Sequence, residues 1–119
     1  MLITGSRRWL RKNSNRMKRY SVVFRETAKG DLQSIFSYVL DQSKSRDTAL
    51  AYIRRIRNKC AKIGDVPLGG VARPDLGAGI RMAVFERSVV ILYVIEEERV
   101  RVTNIFFGSR DYAALVTRP

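Results

Sequence analysis

The longest patterned stretch of the chain is residues 80–111, IRMAVFERSVVILYVIEEERVRVTNIFFGSRD. Two polar breaks, Glu86-Arg87-Ser88 and Glu96-Glu97-Glu98, divide it into three runs rich in Val, Ile and Phe. Such runs, bounded by turn-length polar clusters, predict three consecutive antiparallel strands. The middle run, 89–95, carries no charge, which predicts a central strand buried on both faces. In the third run, 99–107, the alternation breaks. Val100 and Val102 share one parity, and Ile105 and Phe107 the other. A bulge near Thr103-Asn104 would bring all four to one face, and a strand buried in part on both faces would also fit.

The upstream pattern supplies a cover for this sheet. YSVVFR, 20–25, predicts a short strand at a sheet edge or beside the last strand. Ala28, Leu32, Ile35, Phe36, Val39 and Leu40 recur at helical spacing, so a helix over 27–40 is expected, with Thr27 as its N-cap and Asp31 in its early turns. After a polar link, 41–46, Ser43 or Ser45 can cap a second helix, 47–63, with Asp47 near its positive end. Its apolar stripe is Ala49, Tyr52, Ile53, Ile56, Cys60 and Ile63, which makes Cys60 a buried, inert thiol. The opposite face carries Arg54, Arg55, Arg57, Lys59 and Lys62, read either as a solvated face or as a docking surface for an anionic partner. The short link implies an antiparallel helix hairpin. Residues 64–79 hold five glycines and two prolines and read as a loop with several turns; no strand–GxxxxGK[ST]–helix context makes it a phosphate loop. A last helical turn is expected over 110–116. The predicted fold class is α+β: strand, helix hairpin, three-stranded meander in one small sheet, and a short helical turn.

Length and charge narrow the picture. At 119 residues the chain fits one domain. The formal net charge is +12, and seven of the 23 basic residues but none of the 11 acidic ones lie in residues 1–19. Residues 1–16 have no strand or helix period. They read as a basic, disordered tail, with Met17 as an alternative start, or as an arm for phosphate or an acidic partner; 17–119 read as the folded domain. One cysteine excludes an internal disulfide and suits a reducing compartment. No apolar run is long enough to span a membrane, and the N-terminus lacks the apolar block of a signal peptide, so a cytoplasmic protein with no membrane partner is expected. Histidine is absent, which removes Ser-His and Cys-His catalysis and the commonest metal ligand. No cofactor or metal is expected. Any catalysis would fall to Arg, Lys, Tyr or carboxylates.

The order of elements and several residues together resemble the ParE/RelE superfamily, the toxic halves of bacterial type II toxin–antitoxin pairs associated with plasmid stabilisation. The matching residues are Met17-Lys18-Arg19-Tyr20, Ala28, Asp31-Leu32, Ile35 and Tyr38, then Ala49 and Tyr52-Ile53. They continue through Pro67, Gly69 or Gly70, Arg73-Pro74-Asp75-Leu76, Gly79-Ile80-Arg81, Ile91-Leu92-Tyr93 and Gly108-Ser109-Arg110-Asp111. The resemblance covers about residues 17–115. The loop and the ending look more like the ParE branch, which implies a toxin that inhibits DNA gyrase rather than an enzyme.

The alternative is a RelE-like, ribosome-dependent mRNA endoribonuclease, whose pattern would make Arg81, Arg110 and Tyr112 catalytic. No lysine follows Lys62, and Phe107 stands where many relatives have histidine. Under the ParE reading the target-binding candidates are Arg81, Arg87 and Arg110, and the antitoxin-binding candidates are Arg54, Arg55, Arg57 and Lys62. The resemblance also implies a cognate, ParD-like antitoxin that is acidic in its binding segment and forms a hetero-oligomer with the toxin. Each candidate has a plainer role open to it. Arg81 can pair with Asp75, Asp111 or a turn glutamate, Tyr112 can pack in the last turn, and Tyr93 belongs to the core. A third possibility is a non-toxic basic domain that keeps only the fold.

Overall fold

A computed structural model describes residues 19–108. Strand β1 (Ser21–Phe24) leads into helix α1 (Glu26–Ser43), and helix α2 (Arg46–Asp65) follows. A 3-10 turn (Pro67–Gly69) and strand β2 (Val71–Ala72) precede β3 (Arg81–Phe85), β4 (Val89–Glu96) and β5 (Arg99–Phe107). The strands form one five-stranded sheet in the order β1-β5-β4-β3-β2. β1 runs parallel to β5, and the other pairs are antiparallel. The expected tail and closing helical turn lie outside the described residues.

The meander follows from the apolar runs, and β4 is central as its lack of charge predicted. Both hairpins turn on residues with positive φ: Glu86 and Arg87 at 48° and 62°, Glu97 and Glu98 at 51° and 58°. This left-handed pair matches the twist of the strands, although neither turn uses the Asn-Gly that favours it.

The helix hairpin covers one face of the sheet. Ala28, Leu32 and Ile35 of α1 and Ile56, Cys60 and Ile63 of α2 pack on Val89, Ile91, Tyr93, Val100, Val102 and Ile105. A smaller cluster lies behind, where Leu76 of the β2–β3 loop covers Leu92 and Phe106. β4 is thus buried on both faces, with the helices on one side and the loop on the other. Lys44, at φ 58°, ends α1 by donating its N–H to the Leu40 carbonyl. Ser45 caps α2 by accepting the Thr48 N–H, so Ser45 and not Ser43 is the capping residue. Gly64 lets the end of α2 touch the start of β1. A Cβ there would fall on the Tyr20 carbonyl, whose own N–H donates to Gly64 O at 2.8 Å.

Two expectations are corrected. Thr27 is not the N-cap: α1 starts at Glu26 after Arg25, and the Thr27 hydroxyl donates instead to the Thr103 carbonyl at 2.6 Å. Residues 64–79 are not all loop, because α2 runs on to Asp65 and Val71–Ala72 add a fifth strand. Propensity hides so short a strand inside a Gly/Pro-rich stretch.

The bulge falls where the alternation breaks. Leu92 pairs with Asn104 but Tyr93 pairs with Val102, so Thr103 is the extra residue. Val100, Val102 and Ile105 then share the helix face, with Phe107 packed against it. A bulge frees backbone groups, and α1 takes them up. Thr27 binds the Thr103 carbonyl, and Asp31 accepts the Ile105 N–H at 2.8 Å. Replacing Asp31 by Ala should cost about 1–3 kcal/mol by stranding that N–H, and Asp31→Asn, which keeps an acceptor, should cost less. Thermal or urea denaturation reads the difference; equal stability for Ala and Asn would refute it.

Candidate functional site

Among the described residues, those named in the sequence do not meet in one place. They fall into a locked corner at β2, a basic face on α2, and arginines spread along the sheet.

The corner gathers Pro67, Gly70, Arg73, Asp75, Arg81 and Tyr93. Tyr93 is fully buried, but its hydroxyl donates to the Pro67 carbonyl at 2.7 Å and accepts the Gly70 N–H at 3.0 Å. The Arg81 guanidinium grips the same turn. Its Nε and Nη2 donate to Gly70 O at 3.2 and 2.9 Å, and Nη2 also reaches Leu68 O at 3.0 Å. Gly70 is needed at this point, because a Cβ would strike the Tyr93 hydroxyl and the Met82 carbonyl. The carboxylate of Asp75 is held by Arg73, not by Arg81, in a two-point pair at 3.0 and 2.8 Å. That hydrogen bond holds the Asp75 carboxyl below its ordinary pKa.

The basic face of α2 is partly committed. Arg55 pairs with Glu86 at 3.2 Å and lies over the Tyr52 ring at 5.0 Å, and Arg57 lies over Phe24 at 5.1 Å. Arg54 and Lys62 are exposed and have no carboxylate partner among the described residues. On the sheet, Arg87 occupies the β3–β4 turn, Arg99 opens β5, and Arg101 pairs with Glu96 at 2.9 Å. Arg87 and Arg99 flank opposite ends of the eight-residue β4, about 25 Å apart at the rise of a strand. Arg110 and Tyr112 lie outside the described residues. Phe107 packs in an aromatic cluster with Tyr38 at 5.2 Å and Tyr52 at 5.9 Å. Burial, with Glu86 adding to it and Arg55 opposing, raises the Tyr52 phenol, which makes that hydroxyl no base near neutral pH.

Concavities flank the helices. One of about 550 Å³ lies between α1 and the end of β5, lined by Asp31, Tyr38 and Phe107 among others. A notch of about 310 Å³ lies between the helices, lined by Phe36 and Leu50 and by Lys29 and Arg57 among others. Among the described residues no three His, Cys, Asp or Glu side chains are grouped to hold a metal ion. No described helix is long and apolar enough to cross a membrane. The locking role of Tyr93 and Gly70 escaped the sequence reading, which placed Tyr93 in the core and Gly70 in a loop. The clue available was a tyrosine in an otherwise aliphatic central strand.

This arrangement defines a small α+β domain. Residues 22–112 match the family described as ParE toxin of type II toxin-antitoxin system, parDE. The chain belongs to that family. A toxin–antitoxin system from P. aeruginosa, the chromosomal ParDE system, contains a similar structure, with TM-score 0.66 and 18% identity over 76% of this chain and 98% of that one. The RelBE2 toxin–antitoxin complex from Mycobacterium tuberculosis contains another, with TM-score 0.54 and 19% identity over 77% and 94%. At such identities the likeness is one of fold. No curated protein sequence matches the chain.

Two local tests follow. Tyr93→Phe should cost about 1–3 kcal/mol, since it strips both hydrogen bonds from the 67–70 turn, and it should speed amide exchange at Gly70. Unchanged exchange there would show that the hydroxyl does not hold the turn. Cys60 is fully buried, and burial pushes its thiol from 9.0 to about 12. Native protein at pH 8 should therefore resist a disulfide reagent that titrates one thiol after denaturation. Because the folded state keeps the proton, this group leaves stability untouched below pH 9 and lowers it as pH climbs from 9 toward 12. Fast labelling of native protein would contradict the burial.

Proposed function

We propose that this ParE-family toxin acts by inhibiting DNA gyrase in the bacterial cytoplasm and is neutralised by a cognate antitoxin. The observation that carries the reading is the family match over residues 22–112. The distribution of cations on the sheet supports it. An RNase without histidine would need cations converging on one concave site to stabilise its transition state. Among the described residues, Arg81 is spent on carbonyls, Arg101 on Glu96, and Arg87 and Arg99 stand at opposite ends. No lysine lies on any of the described strands, and Phe107, where many relatives have histidine, sits among aromatic rings.

In this reading Arg87, exposed on its turn, and Arg110 meet the target. Arg81 acts there by holding the 67–70 turn as well as by its charge. Arg54, Arg55, Arg57 and Lys62 face the antitoxin, which is an acidic, ParD-like segment, disordered when free, that forms a hetero-oligomer with the toxin.

Purified protein should abolish supercoiling by gyrase and trap cleaved plasmid, while a ribosome-and-mRNA mixture stays intact. Codon-positioned mRNA cuts with gyrase untouched would overturn the proposal and return Arg81, Arg110 and Tyr112 to candidate catalytic roles. Co-expression with the product of an adjacent antitoxin-like gene should restore growth and give a co-purifying complex. Failure to co-purify would count against the antitoxin assignment alone.

A further inference from the structure

The excess positive charge is confined to two stretches of the chain. Residues 1–19 carry seven basic side chains and no acidic one, and residues 48–64 carry five and none. The other eleven basic residues are matched by the eleven acidic ones, so these two stretches hold the whole formal net charge of +12. The fold joins them. Residues 48–64 lie in α2, and the N-terminal stretch enters the described structure against the last turn of that helix. The Tyr20 N–H donates to the Gly64 carbonyl at 2.8 Å, and Arg19 Nε pairs with Asp65 at 2.8 Å. That pair also neutralises the one carboxylate in the last turn of α2.

The helix face beside this junction is cationic and has no apolar anchor. Between residues 54 and 62 the exposed side chains are Arg54, Arg55, Arg57, Asn58, Ala61 and Lys62, none of them a large hydrophobe. Arg54 and Lys62 have no carboxylate partner among the described residues. A protein partner is held mainly by large side chains buried at the centre of the contact. A uniform polyanion needs no such anchor and is held by neutralising its phosphates. Arg54 and Lys62 stand about 12 Å apart along the helix, a reach over which duplex DNA presents about seven phosphates. Asn58 and Ala61 between them are short and leave room for a rod-shaped ligand. Glu97 and Glu98 stand at the same end of the sheet as Ser21, but on the β4–β5 turn and not on α2.

We propose that the exposed face of α2 and residues 1–19 together bind duplex DNA through its phosphates, independent of sequence. The helix supplies cations at fixed spacing through Arg54 and Lys62, and the N-terminal stretch extends the contact through Arg7, Arg8, Arg11 and Lys12. DNA is favoured over duplex RNA because its major groove admits a helix, whereas the major groove of A-form RNA is too narrow. This binding goes beyond inhibition of gyrase and does not rest on it, since the contact needs no other protein. In the reading above the same helix face meets the antitoxin, so DNA and antitoxin are alternative occupants.

The test uses the full chain and a fluorescein-labelled DNA duplex of about 20 base pairs, followed by anisotropy over a salt series with no gyrase present. Its outcome is therefore separate from that of the supercoiling assay. Saturable binding is expected, with log K falling linearly in log salt at a slope of about −4 or steeper. An unlabelled duplex of unrelated sequence should compete equally. Arg54→Gln with Lys62→Gln, both at exposed positions, should weaken binding at least fivefold in 0.1 M salt and flatten the slope by about two, with the melting temperature near that of the parent. Arg7→Gln, Arg8→Gln, Arg11→Gln and Lys12→Gln in one chain should flatten it by about three or more. Lys44→Gln with Arg46→Gln removes as much charge at the opposite end of α2, beyond a Debye length of about 10 Å, and should change affinity twofold at most. No binding would overturn the proposal. So would an equal loss in the Lys44 and Arg46 variant, which would reduce the effect to net charge, or an unchanged affinity in the Arg54 and Lys62 variant, which would leave the N-terminal stretch acting alone. Tighter binding to duplex RNA would overturn the choice of DNA, and displacement by poly-glutamate at equal charge concentration would point to an acidic protein instead. A tenfold gain in Glu97→Gln with Glu98→Gln would also overturn it, because the N-terminal cations would then be held within the chain.

Discussion

The structure depends on one extra residue in its last strand. β5 has to serve three neighbours: β4 along its whole length, β1 along its first half, and α1 along its second. A regular strand could not do so while keeping its apolar side chains on the helix face, because Val100 and Val102 differ in parity from Ile105 and Phe107. Thr103 absorbs the difference. The price is a local loss of ladder hydrogen bonds, and α1 supplies their replacement through Thr27 and Asp31. The same contact fixes α1 against the sheet at the point where β1 ends, since Arg25 N–H still reaches the Val102 carbonyl and the helix begins at the next residue. Helix placement and strand register are therefore one constraint.

A second constraint acts at the far edge. The fully buried hydroxyl of Tyr93 must be satisfied, and the nearest backbone is the turn after α2. Satisfying it holds Gly70 in the turn, so that β2 pairs with β3 over two residues and Val84 has no partner in β2. Arg81 closes the arrangement from the other side by taking the Gly70 and Leu68 carbonyls. The exposed aliphatic side chains of Val66, Leu68 and Val71 are thus carried on a fixed corner and not on a loose loop. A rigid corner loses little conformational entropy when a partner covers it.

Periodicity made most of this fold legible. The stripes of both helices and the uncharged central strand each had a single economical reading in three dimensions, while the displaced parity around Thr103 left two, a bulge or a strand buried in part on both faces, of which the structure has the bulge. What stayed hidden depended on contacts across long separations in sequence. Thr27 looks like a cap because it precedes an apolar stripe, yet its hydroxyl is claimed by Thr103, and no local rule weighs that competition. Asp75 was open to Arg81 by type and charge, but Arg73 lies two residues away with the geometry of a fork. The β2 strand, two residues long, owes its existence to pairing with β3 and not to its own propensity. Residues of the candidate site were legible as types, whereas their division into committed and open groups required the fold.

That division bears directly on activity. The composition suggests abundant free positive charge, but much of it in the folded domain is engaged. Arg55 is shared between Glu86 and Tyr52, Arg57 stacks on Phe24, Arg73 holds Asp75, Arg81 holds a turn, and Arg101 holds Glu96. Such cations stabilise shape and contribute little to charge that must develop elsewhere in a transition state. Arg54, Arg87 and Arg99 lie on separate elements, whereas Lys59 and Lys62 share one groove; charges so distributed can attract and orient a macromolecule. Beside them stand aliphatic side chains left in solvent, Val66, Leu68, Val71 and Val84. A surface of this kind gains free energy by being covered.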